Sequence, residues 1–564
     1  MSRELVASNR APDTAMAILA VTMFVTGFTG FVFECILSTV ATYVLGNSVE
    51  QFSVTIGLML ACMGLGSFAQ QYVRARRPVL PFVCVELLLV MLGGFAPVAM
   101  YAAFGFFEHH FQLIQYVIAG GIGFLIGSEV PFATRINEDF RGVPLQNNLA
   151  SIFLWDYLGG FIGALIFTKV LMPRVPLTEM SFLLGAAVLV TAVVNYFYFM
   201  SMSARRLAHY AAFLIVAGAL AYGYTHNRQW NVALEQRLYA DRIIYAATTP
   251  YQRIVLQHND TRNEYRLTLN GGLQFSSLDE ARYHEFLVHI PMVFARGRVR
   301  ALVLGGGDGL GLREILKYSN VESVTLVDLD AAMTSFAATH PIMTVLNHRS
   351  FADARVAVAP AGGIAAGPQR LVTGEEPHPH ARHVRPDEMP VASVSVINID
   401  ADRFLGEIQE MYDVVLVDFP DPRSIELCKL YSKEFYMKLR HVLTEHGVAA
   451  IQSTSVYYSR EAYLMVGRTL EEAGFSILRY HHDVPSFGDW GWHLVWKDER
   501  TVDQMKEVLR SVRSLDVRTN YLTPELVATS TDFGKGALDS TDRHVNTLME
   551  PRLLDVYLKS WVVD

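Results

Sequence analysis

Long apolar stretches fill the first 225 residues of the chain. Seven of them provide about the ~20 apolar residues that a helix needs to cross the hydrocarbon core of a bilayer. They occupy about residues 15–45, 51–73, 79–106, 111–134, 148–172, 178–202 and 206–225. The first stretch continues through Glu34 without a small-residue cleavage pattern, so it is not a cleaved signal peptide. The pattern predicts a membrane domain of about seven transmembrane helices over residues 1–225.

A different pattern begins near residue 240, where apolar residues occur in short runs typical of β-strands. The elements predicted there are strands at residues 253–257 and 265–269 and a helix at residues 278–294. The turn sequences Asn259-Asp260 and Asn270-Gly271-Gly272 follow the two strands. This arrangement predicts a linker and a small antiparallel β domain over residues 226–295.

A strand, a glycine-rich turn, a helix and a second strand then follow, at residues 301–304, 305–311, 312–318 and 324–328. Glycines let a backbone approach an adenosyl ligand closely, and an acid that ends the second strand, here Asp328, accepts both ribose hydroxyls. The turn lacks the lysine of an ATP-binding P-loop. We expect a doubly wound, Rossmann-like α/β domain of the methyltransferase type over residues 296–530 and a C-terminal extension over residues 531–564.

Two further predicted strands, at residues 394–400 and 412–418, also end in acidic residues. Ligands bind beyond the carboxyl ends of parallel strands, so Asp308, Asp328, Asp400 and Asp418 are expected in one crevice. A cluster of acids there selects a cationic ligand. Because it lacks the histidines and the dense loop spacing of zinc and calcium sites, we predict no bound metal.

Residues 359–390 interrupt this domain with a segment rich in Ala, Gly, Pro and His. Its clustered histidines are compatible with a metal site. The Pro-rich composition favours a solvated insertion without fixed structure. We therefore expect that its deletion leaves folding and activity nearly unchanged.

Charge is distributed unevenly along the chain. The whole chain contains 47 Lys and Arg and 55 Asp and Glu, a net charge of −8, but residues 1–225 hold only 11 of each sign. So few charges are unusual for a water-soluble domain and support a membrane domain. Neither part has the basic excess that nucleic-acid binding requires. Four cysteines, three of them before residue 225, exclude a disulfide framework and a Cys-based zinc site.

Arginines in alternate loops indicate the orientation of the membrane domain. Nine basic residues precede the first run or follow the second, fourth and sixth runs: Arg3, Arg10, Arg74, Arg76, Arg77, Arg135, Arg141, Arg205 and Arg206. The opposite loops contain Lys169 and Arg174, so the positive-inside rule places the N-terminus in the cytoplasm. Seven crossings then put the soluble part outside, unless one run does not cross. The fourth run, with four glycines and Pro131, is expected to be the least regular.

Four carboxylates, those of Glu34, Glu86, Glu129 and Asp156, lie in the apolar runs or at their ends. Buried charge in a bilayer is costly, so such residues are functional candidates, and an acid-only set would suit a cationic ligand such as a polyamine. The alternative, which we favour, is that each acid is protonated or hydrogen-bonded to a neighbouring Tyr, Ser or Trp and only fixes helix packing.

Residues 240–530 resemble spermidine synthase, the polyamine aminopropyltransferase family. The residues that carry the resemblance are Tyr251-Gln252, 269–274, 279–285 (Asp-Glu-Ala-Arg-Tyr-His-Glu), 305–309, 328–330, 418–422, 431–436 and Gln452. The preceding runs resemble a bacterial branch in which a multispan membrane domain is fused to this enzyme. The resemblance implies a multi-pass protein of the bacterial inner membrane that forms a homodimer or homotetramer.

This family transfers an aminopropyl group from decarboxylated S-adenosylmethionine, a co-substrate rather than a cofactor, to a diamine, usually putrescine. The resemblance implies that the substrate-binding residues are Gln252, Tyr283, His284, Asp308, Asp328, Asp400, Ala401, Asp421 and Gln452. Asp328 would hold the ribose, Asp400 the adenine amino group and Asp308 the aminopropyl ammonium. The diamine channel would be lined by Tyr283, His284 and Asp421. Asp418 would accept the proton.

The sequence departs from the family on the acceptor side. Phe419-Pro420 stands where the family has small polar residues, and residues 423–427 replace a Gly-Pro. The family's aromatic residue before a Pro-Ser turn is Val484 here, for which Phe487 could substitute. The resemblance therefore defines the donor site better than the identity of the diamine.

Two other functions compete with this one. The first is a polyamine transporter or sensor whose soluble part only binds ligand, and the retained Asp418 and Gln452 argue against it. The second is a methyltransferase that uses intact S-adenosylmethionine. Asp308 argues against it, because this residue would face the carboxylate of that donor.

Overall fold

The computed structural model describes residues 12–45, 48–73, 78–141, 145–172, 174–353, 355–358 and 393–560. Two compact units make up the chain, Met1–Ile243 and Ile244–Asp564. The boundary lies beyond residue 225, because the seventh helix continues past that position. Several residues used in the sequence predictions lie outside the described residues, namely the insertion 359–390 and Arg3, Arg10, Arg74, Arg76 and Arg77.

Seven long helices build the described part of the first unit. They are α1 (Pro12–Leu45), α2 (Ser48–Ala69), α3 (Val79–Phe107), α4 (Phe111–Arg141), α5 (Leu145–Ile166), α6 (Leu177–Phe199) and α7 (Leu207–Glu235). By length and apolar composition, each of the seven could cross a membrane. The irregularity predicted for the fourth run is wrong: α4 is one continuous helix that contains Pro131. A single proline removes one backbone donor, and the rest of the hydrogen-bond ladder of α4 remains.

Glycines allow close contact between pairs of these helices. A Cβ atom at Gly127 of α4 would collide with the backbone of Met63 on α2. A Cβ atom at Gly159 of α5 would collide in the same way with Phe24 on α1. These two glycines thus serve helix packing, as small residues do in membrane helices.

Three of the four carboxylates in the helices are buried, and two of these, Glu86 and Glu129, join neighbouring helices. Asn195 of α6 donates its amide to Glu86 of α3 (Nδ2–Oε1 3.0 Å), and Thr26 of α1 donates its hydroxyl to Glu129 of α4 (Oγ1–Oε2 2.6 Å). The partners are Asn and Thr rather than the predicted Tyr, Ser or Trp. These contacts support the interpretation that the acids fix helix packing.

A small antiparallel sheet opens the second unit, in the order β1-β2-β3-β4. Its strands are β1 (Arg242–Thr248), β2 (Arg253–Asn259), β3 (Glu264–Leu269) and β4 (Gly272–Ser276). Strands β2, β3 and β4 pair antiparallel in sequence. Asn270 (φ 49°) and Gly271 (φ 76°) connect β3 to β4, and two consecutive positive φ values are what a type I′ hairpin turn requires. The predicted antiparallel sheet is confirmed.

An eight-stranded sheet forms the main body of this unit, in the order β11-β12-β10-β9-β5-β6-β8-β7. Its strands are β5 (Val299–Gly305), β6 (Val321–Asp328), β7 (Val356–Val358), β8 (Ser393–Asn398), β9 (Tyr412–Asp418), β10 (Leu443–Ser455), β11 (Ser476–Val484) and β12 (Gly488–Trp496). The strands from β10 to β7 are parallel, whereas β12 pairs antiparallel with β10 and β11. The chain leaves β5 toward β6 and later returns to β9 on the other side of β5. Ligands of doubly wound sheets bind at such a switch point, beyond the strand ends.

Helices cover both faces of this sheet. They are α8 (Glu280–Met292), α9 (Leu310–Ile315), α10 (Ala331–Thr339), α11 (Pro341–Leu346), α12 (Ala401–Glu407), α13 (Ile425–Lys429), α14 (Lys433–Val442), α15 (Arg460–Glu472), α16 (Val502–Ser511), α17 (Pro524–Thr529) and α18 (Arg552–Ser560). Alternate residues of β5 enter two separate apolar cores, one with Ala301 and Val303 and the other with Leu302 and Leu304. Burial on both faces explains the uninterrupted apolar sequence of the strand.

Candidate active site

The loop between β5 and α9 lies at the switch point. Gly305, Gly306 and Gly309 have φ values of 84°, 66° and 80°, a region that other residues rarely adopt. A Cβ atom at Gly305 would also collide with the backbone carbonyl of Asp418, its partner in the register of β5 and β9. Glycine therefore allows the loop to lie directly against the end of β9. The predicted helix at residues 312–318 is α9, which begins earlier, right after Gly309.

Asp328 ends β6 beside this loop. Its carboxylate accepts hydrogen bonds from the backbone N–H groups of Gly307 (3.0 Å) and Asp330 (2.9 Å). Burial raises the pKa of Asp328 to about 6, and the charges of Asp330 and Asp308 act in the same direction. In dinucleotide-binding folds, the acid that binds the ribose occupies this position, at the end of the second strand and next to a glycine-rich loop.

Asp418 ends β9 on the other side of β5. Tyr283 of α8 donates its hydroxyl to this carboxylate (OH–Oδ1 2.6 Å). Burial raises the pKa of Asp418 to about 6, as does the charge of Asp308, whereas His284 and the hydrogen bond from Tyr283 lower it. At neutral pH the carboxylate is mostly ionised and can accept a proton, which is what a general base requires.

Asp308 lies in the glycine-rich loop, where its Oδ1 accepts a hydrogen bond from the N–H of Leu310 (2.9 Å). Its charge raises the pKa values of Asp328, His284 and Asp418. The structure thus brings three of the four predicted acids together at the switch point. Among the described residues that shift the pKa values of Asp328 and Asp418, His284 is the one that can carry a positive charge.

His284 is held by a buried chain of charges on α8 and α9. Its Nδ1 lies 3.1 Å from Glu280 Oε2, and Arg313 binds both oxygens of Glu280 (2.9 and 2.8 Å). Burial would lower the pKa of His284, but the hydrogen bond to Glu280 and the surrounding acids raise it to about 9. His284 is therefore a cation at neutral pH. It balances part of the negative charge of Asp308 and Asp418.

Asp421 follows the end of β9 and is also buried. Gln452 of β10 donates its amide to Asp421 (Nε2–Oδ1 3.1 Å), and Tyr557 of α18 donates its hydroxyl to the other oxygen (2.9 Å). Burial raises the pKa of Asp421, and these donors oppose the shift. Both Asp421 and Asp418 act electrostatically on the hydroxyl of Tyr283. Burial and both of these charges raise the pKa of the phenol.

An irregularity in β10 fixes the direction of the Gln452 amide. The register between β10 and β12 shifts between Gln452 and Ser455, and Thr454 has a φ of 66°, unusual for a β-branched residue. This conformation directs the N–H of Thr454 to Gln452 Oε1 (2.6 Å). Because Oε1 is occupied by a donor, the NH₂ group of Gln452 points to Asp421.

Gln252 follows β1 and contacts the segment after β6. Its amide donates to Asp330 Oδ2 (2.9 Å), and Thr249 donates to the same oxygen (2.8 Å). The other oxygen of Asp330 accepts a hydrogen bond from the N–H of Ala332, so that Asp330 caps the N-terminus of α10. The small sheet is therefore connected to the loop that carries Asp328.

Asp400 does not end a strand, contrary to the sequence prediction. Strand β8 stops at Asn398, and Asp400 caps α12 by accepting the N–H of Arg403 (2.9 Å). Its side chain is 38% exposed and pairs with Lys429 (3.2 Å). The correction has a simple cause: aspartate is a preferred N-cap residue, and α12 begins at the next residue, Ala401, which is buried.

The aromatic residue expected near the acceptor is supplied by the loop after β11. Phe487 contacts Tyr283 edge to face, with ring centroids 6.0 Å apart, and Val484 is buried in the core. Ser486 between them donates its N–H to Asp279 Oδ2 (2.7 Å) at the start of α8. Phe487 rather than Val484 is therefore placed beside the predicted diamine channel.

Among the described residues, one group has the composition of a metal site. Carboxylate and ring atoms of Glu285, His289 and Glu314 lie within 4.8 Å of one another. Glu285 already accepts three backbone N–H groups, those of residues 520–522, and Glu314 accepts from His289, Arg313 and Lys317. We interpret this group as a buried hydrogen-bond network.

Three residues of the site were missed by the sequence interpretation. Glu280 lies in the motif of residues 279–285, which was a sufficient signal. Arg313 and Tyr557 carry no local signal, because each meets its partner only through the packing of distant segments.

Comparisons with known proteins show the family of the chain. A family model described as "Spermine/spermidine synthase domain" matches residues 280–366 and 387–507. Polyamine aminopropyltransferase 1 of Ralstonia nicotianae is 37% identical over 494 residues, which cover 86% of each chain. Polyamine aminopropyltransferase 1 of Streptomyces coelicolor is 34% identical and covers 97% of this chain and 95% of its own. Polyamine aminopropyltransferase 2 of Aquifex aeolicus is also 34% identical, with coverages of 96% and 98%.

These relatives are similar to both units of the chain, since the matched residues far exceed the length of the second unit. A crystal structure of spermidine synthase from Thermotoga maritima is 22% identical and covers 53% of this chain and 87% of that chain, with a TM-score of 0.41.

Proposed function

The chain belongs to the polyamine aminopropyltransferase family, and we propose that it transfers an aminopropyl group from decarboxylated S-adenosylmethionine to putrescine or a similar diamine. The products would be spermidine and methylthioadenosine. The observation that carries this proposal is the arrangement of Asp308 and Asp418 around the switch point, with Tyr283 and His284 against them. An acid-rich, buried site of this kind suits a cationic donor and a cationic acceptor.

On the donor side, we assign the ribose to Asp328 and the aminopropyl ammonium to Asp308. Asp328 ends β6 against the glycine-rich loop, and Asp308 lies in that loop, closer in sequence to α9. Gln252 reaches the same segment through Asp330. Asp400 and Ala401, at the start of α12, complete the assignment as the adenine side of the pocket.

The reaction itself is a nucleophilic substitution. A neutral amine nitrogen forms a bond to the aminopropyl carbon next to the sulfonium, and the carbon–sulfur bond breaks. Its electron pair stays on sulfur, which leaves as the thioether of methylthioadenosine. The proton of the attacking nitrogen passes to Asp418, whose pKa of about 6 allows it to act as the base at neutral pH. Tyr283 orients the carboxylate through its 2.6 Å hydrogen bond.

We also propose that the helical unit spans the bacterial inner membrane with its N-terminus in the cytoplasm. Support comes from seven helices that each could cross a membrane and from the arginine bias of alternate loops. Seven crossings lead to an outer location of the catalytic unit. The family resemblance argues the other way, because it implies a donor made in the cytosol.

The decisive experiment incubates the purified full chain in detergent with decarboxylated S-adenosylmethionine and a panel of amines, and identifies products by mass spectrometry. We expect an aminopropylated diamine together with methylthioadenosine. Asp418→Asn should reduce this turnover by about 10²- to 10⁴-fold, as loss of a general base does, while methylthioadenosine still binds. Amine binding without turnover would support a sensor or transporter instead, and methylated products from intact S-adenosylmethionine would support a methyltransferase.

A further inference from the structure

The C-terminal helix α18 lies outside the residues matched by the family model but reaches the site. The match ends at residue 507, and α18 covers Arg552–Ser560. Two of its side chains, Leu553 and Tyr557, are buried in the apolar core formed with α12, α14 and α15. The hydroxyl of Tyr557 donates a hydrogen bond to the carboxylate of Asp421 (OH–Oδ2 2.9 Å).

Asp421 has a restricted set of partners in the described part of the chain. Gln452 donates to Oδ1 (3.1 Å), and Tyr557 and Thr454 donate to Oδ2 (2.9 and 3.4 Å). An ionised carboxylate offers about four acceptor positions. Three donors therefore orient the carboxylate plane and leave one position to which no described residue donates.

Asp421 lies near Asp418, three residues further along the chain, and Gln452, which donates to Asp421 (3.1 Å), also donates to the carbonyl of Phe419, the residue that follows Asp418 (2.8 Å). Asp421 and Asp418 both act electrostatically on Tyr283, and Asp418 accepts the hydroxyl of that residue. An ammonium group of the acceptor amine is the ligand that fits a buried carboxylate held in this way, because it has donors only and carries the opposite charge.

We propose that α18 is part of the acceptor site and that Tyr557 is a positioning residue that holds Asp421 in the orientation in which it binds an ammonium group of the amine. This inference rests on the proposed function and assigns to it a segment beyond the matched domain. Tyr557 contacts Asp421 and acts on the amine through it.

A purely structural role of the same hydrogen bond has a different consequence. If the bond only anchored α18 to the core, its loss would affect stability and would act equally on donor and acceptor. The helix has a second anchor that does not touch Asp421, the contact between Ser560 and Ser459 (Oγ–Oγ 2.9 Å). Ser560→Ala therefore removes an anchor of α18 and serves as the matched control.

The test compares Tyr557→Phe and Ser560→Ala with the wild type, each as the full chain in detergent. Tyr557→Phe keeps the buried ring and removes only the hydroxyl. We expect the KM for putrescine to rise about tenfold, as loss of one hydrogen bond to a charged group predicts, with kcat and the KM for decarboxylated S-adenosylmethionine changed by less than about twofold. Ser560→Ala should leave all three constants near those of the wild type.

Calorimetric binding of putrescine in the presence of methylthioadenosine gives a second measurement that does not depend on turnover. Tyr557→Phe should weaken this binding by the same factor. An unchanged affinity for putrescine, or equal changes for donor and acceptor, would overturn the role of Tyr557. A wild-type chain that transfers no aminopropyl group to any amine would instead overturn the proposed function, so the two failures are distinguishable.

Discussion

Replacing Tyr283 by phenylalanine removes one hydroxyl from the site and keeps the buried ring. This hydroxyl donates the 2.6 Å hydrogen bond to Asp418. It stabilises the ionised carboxylate and so opposes the burial that raises the pKa of Asp418 to about 6. Tyr283→Phe should therefore raise the pKa of Asp418 further.

The size of the shift follows from the energy of the bond. A hydrogen bond to a charged group contributes about 1.5–3 kcal/mol, and one pKa unit corresponds to about 1.4 kcal/mol. The pKa of Asp418 should thus rise by about one to two units. The base must be unprotonated to accept a proton, so the loss of activity is largest on the acid side. Near pH 6, kcat/KM should fall about 5- to 50-fold, and the deficit should shrink as the pH rises.

The assay measures initial rates of methylthioadenosine formation across the pH range from acid to weakly alkaline conditions. The acid limb of the kcat/KM profile gives the apparent pKa of the base in the free enzyme. Tyr436→Phe is the matched control, because the hydroxyl of Tyr436 is buried and has no hydrogen-bond partner among the described residues. It should leave the profile unchanged.

Two results would refute this reasoning. An acid limb that stays in place in Tyr283→Phe would mean that the hydroxyl does not stabilise the ionised form of Asp418. A uniform loss at every pH would mean that Tyr283 acts on the substrate rather than on the base.

Three further predictions address the donor, the buried ion pairs and the orientation. Asp308→Ala should weaken binding of decarboxylated S-adenosylmethionine far more than binding of methylthioadenosine, which lacks the ammonium. Calorimetry with both ligands would measure this difference, and equal weakening of the two would contradict the assignment of Asp308. Glu280→Gln removes the buried counter-charge of Arg313 and should lower the free energy of unfolding by about 3–5 kcal/mol, seen as a lower midpoint of thermal unfolding. In the wild type, this stabilisation should be fully present at pH values above the ordinary pKa of a glutamate and should be lost as the pH falls toward the pKa of Glu280, about 2. An unfolding midpoint that the substitution leaves unchanged at neutral pH would contradict this prediction. Alkaline phosphatase and green fluorescent protein, fused separately after Asp564, should report an outer C-terminus through phosphatase activity, and fluorescence without that activity would reverse the assignment.

Local sequence was enough to predict most of the elements. Seven apolar runs became seven long helices, and the predicted strand at residues 412–418 is β9. Asn270-Gly271 formed the tight turn that its composition indicates. Such features depend on apolar periodicity and backbone preference over a few residues, which the sequence displays directly.

Element ends were less predictable. Asp400 was expected at the end of a strand but caps α12, since the last residue of β8 that pairs with β6 is Asn398, opposite Asp328. The fourth apolar run, with its glycines and Pro131, was expected to be irregular and is a continuous helix in which Gly120, Gly123 and Gly127 face α2. In both cases the neighbouring element decided the outcome, and sequence patterns carry little information about it.

The chemistry of the site was decided by tertiary structure. Arg313 meets Glu280 across 33 positions of sequence, and Tyr557 meets Asp421 across 136. Whether Asp418 has the pKa of an ordinary aspartate or of a base depends on burial and on charges from α8 and the glycine-rich loop. The sequence determined which residues carry charge and that Asp328 and Asp418 end strands. Their ionisation depends on desolvation and on distances between atoms, and only the folded chain sets these.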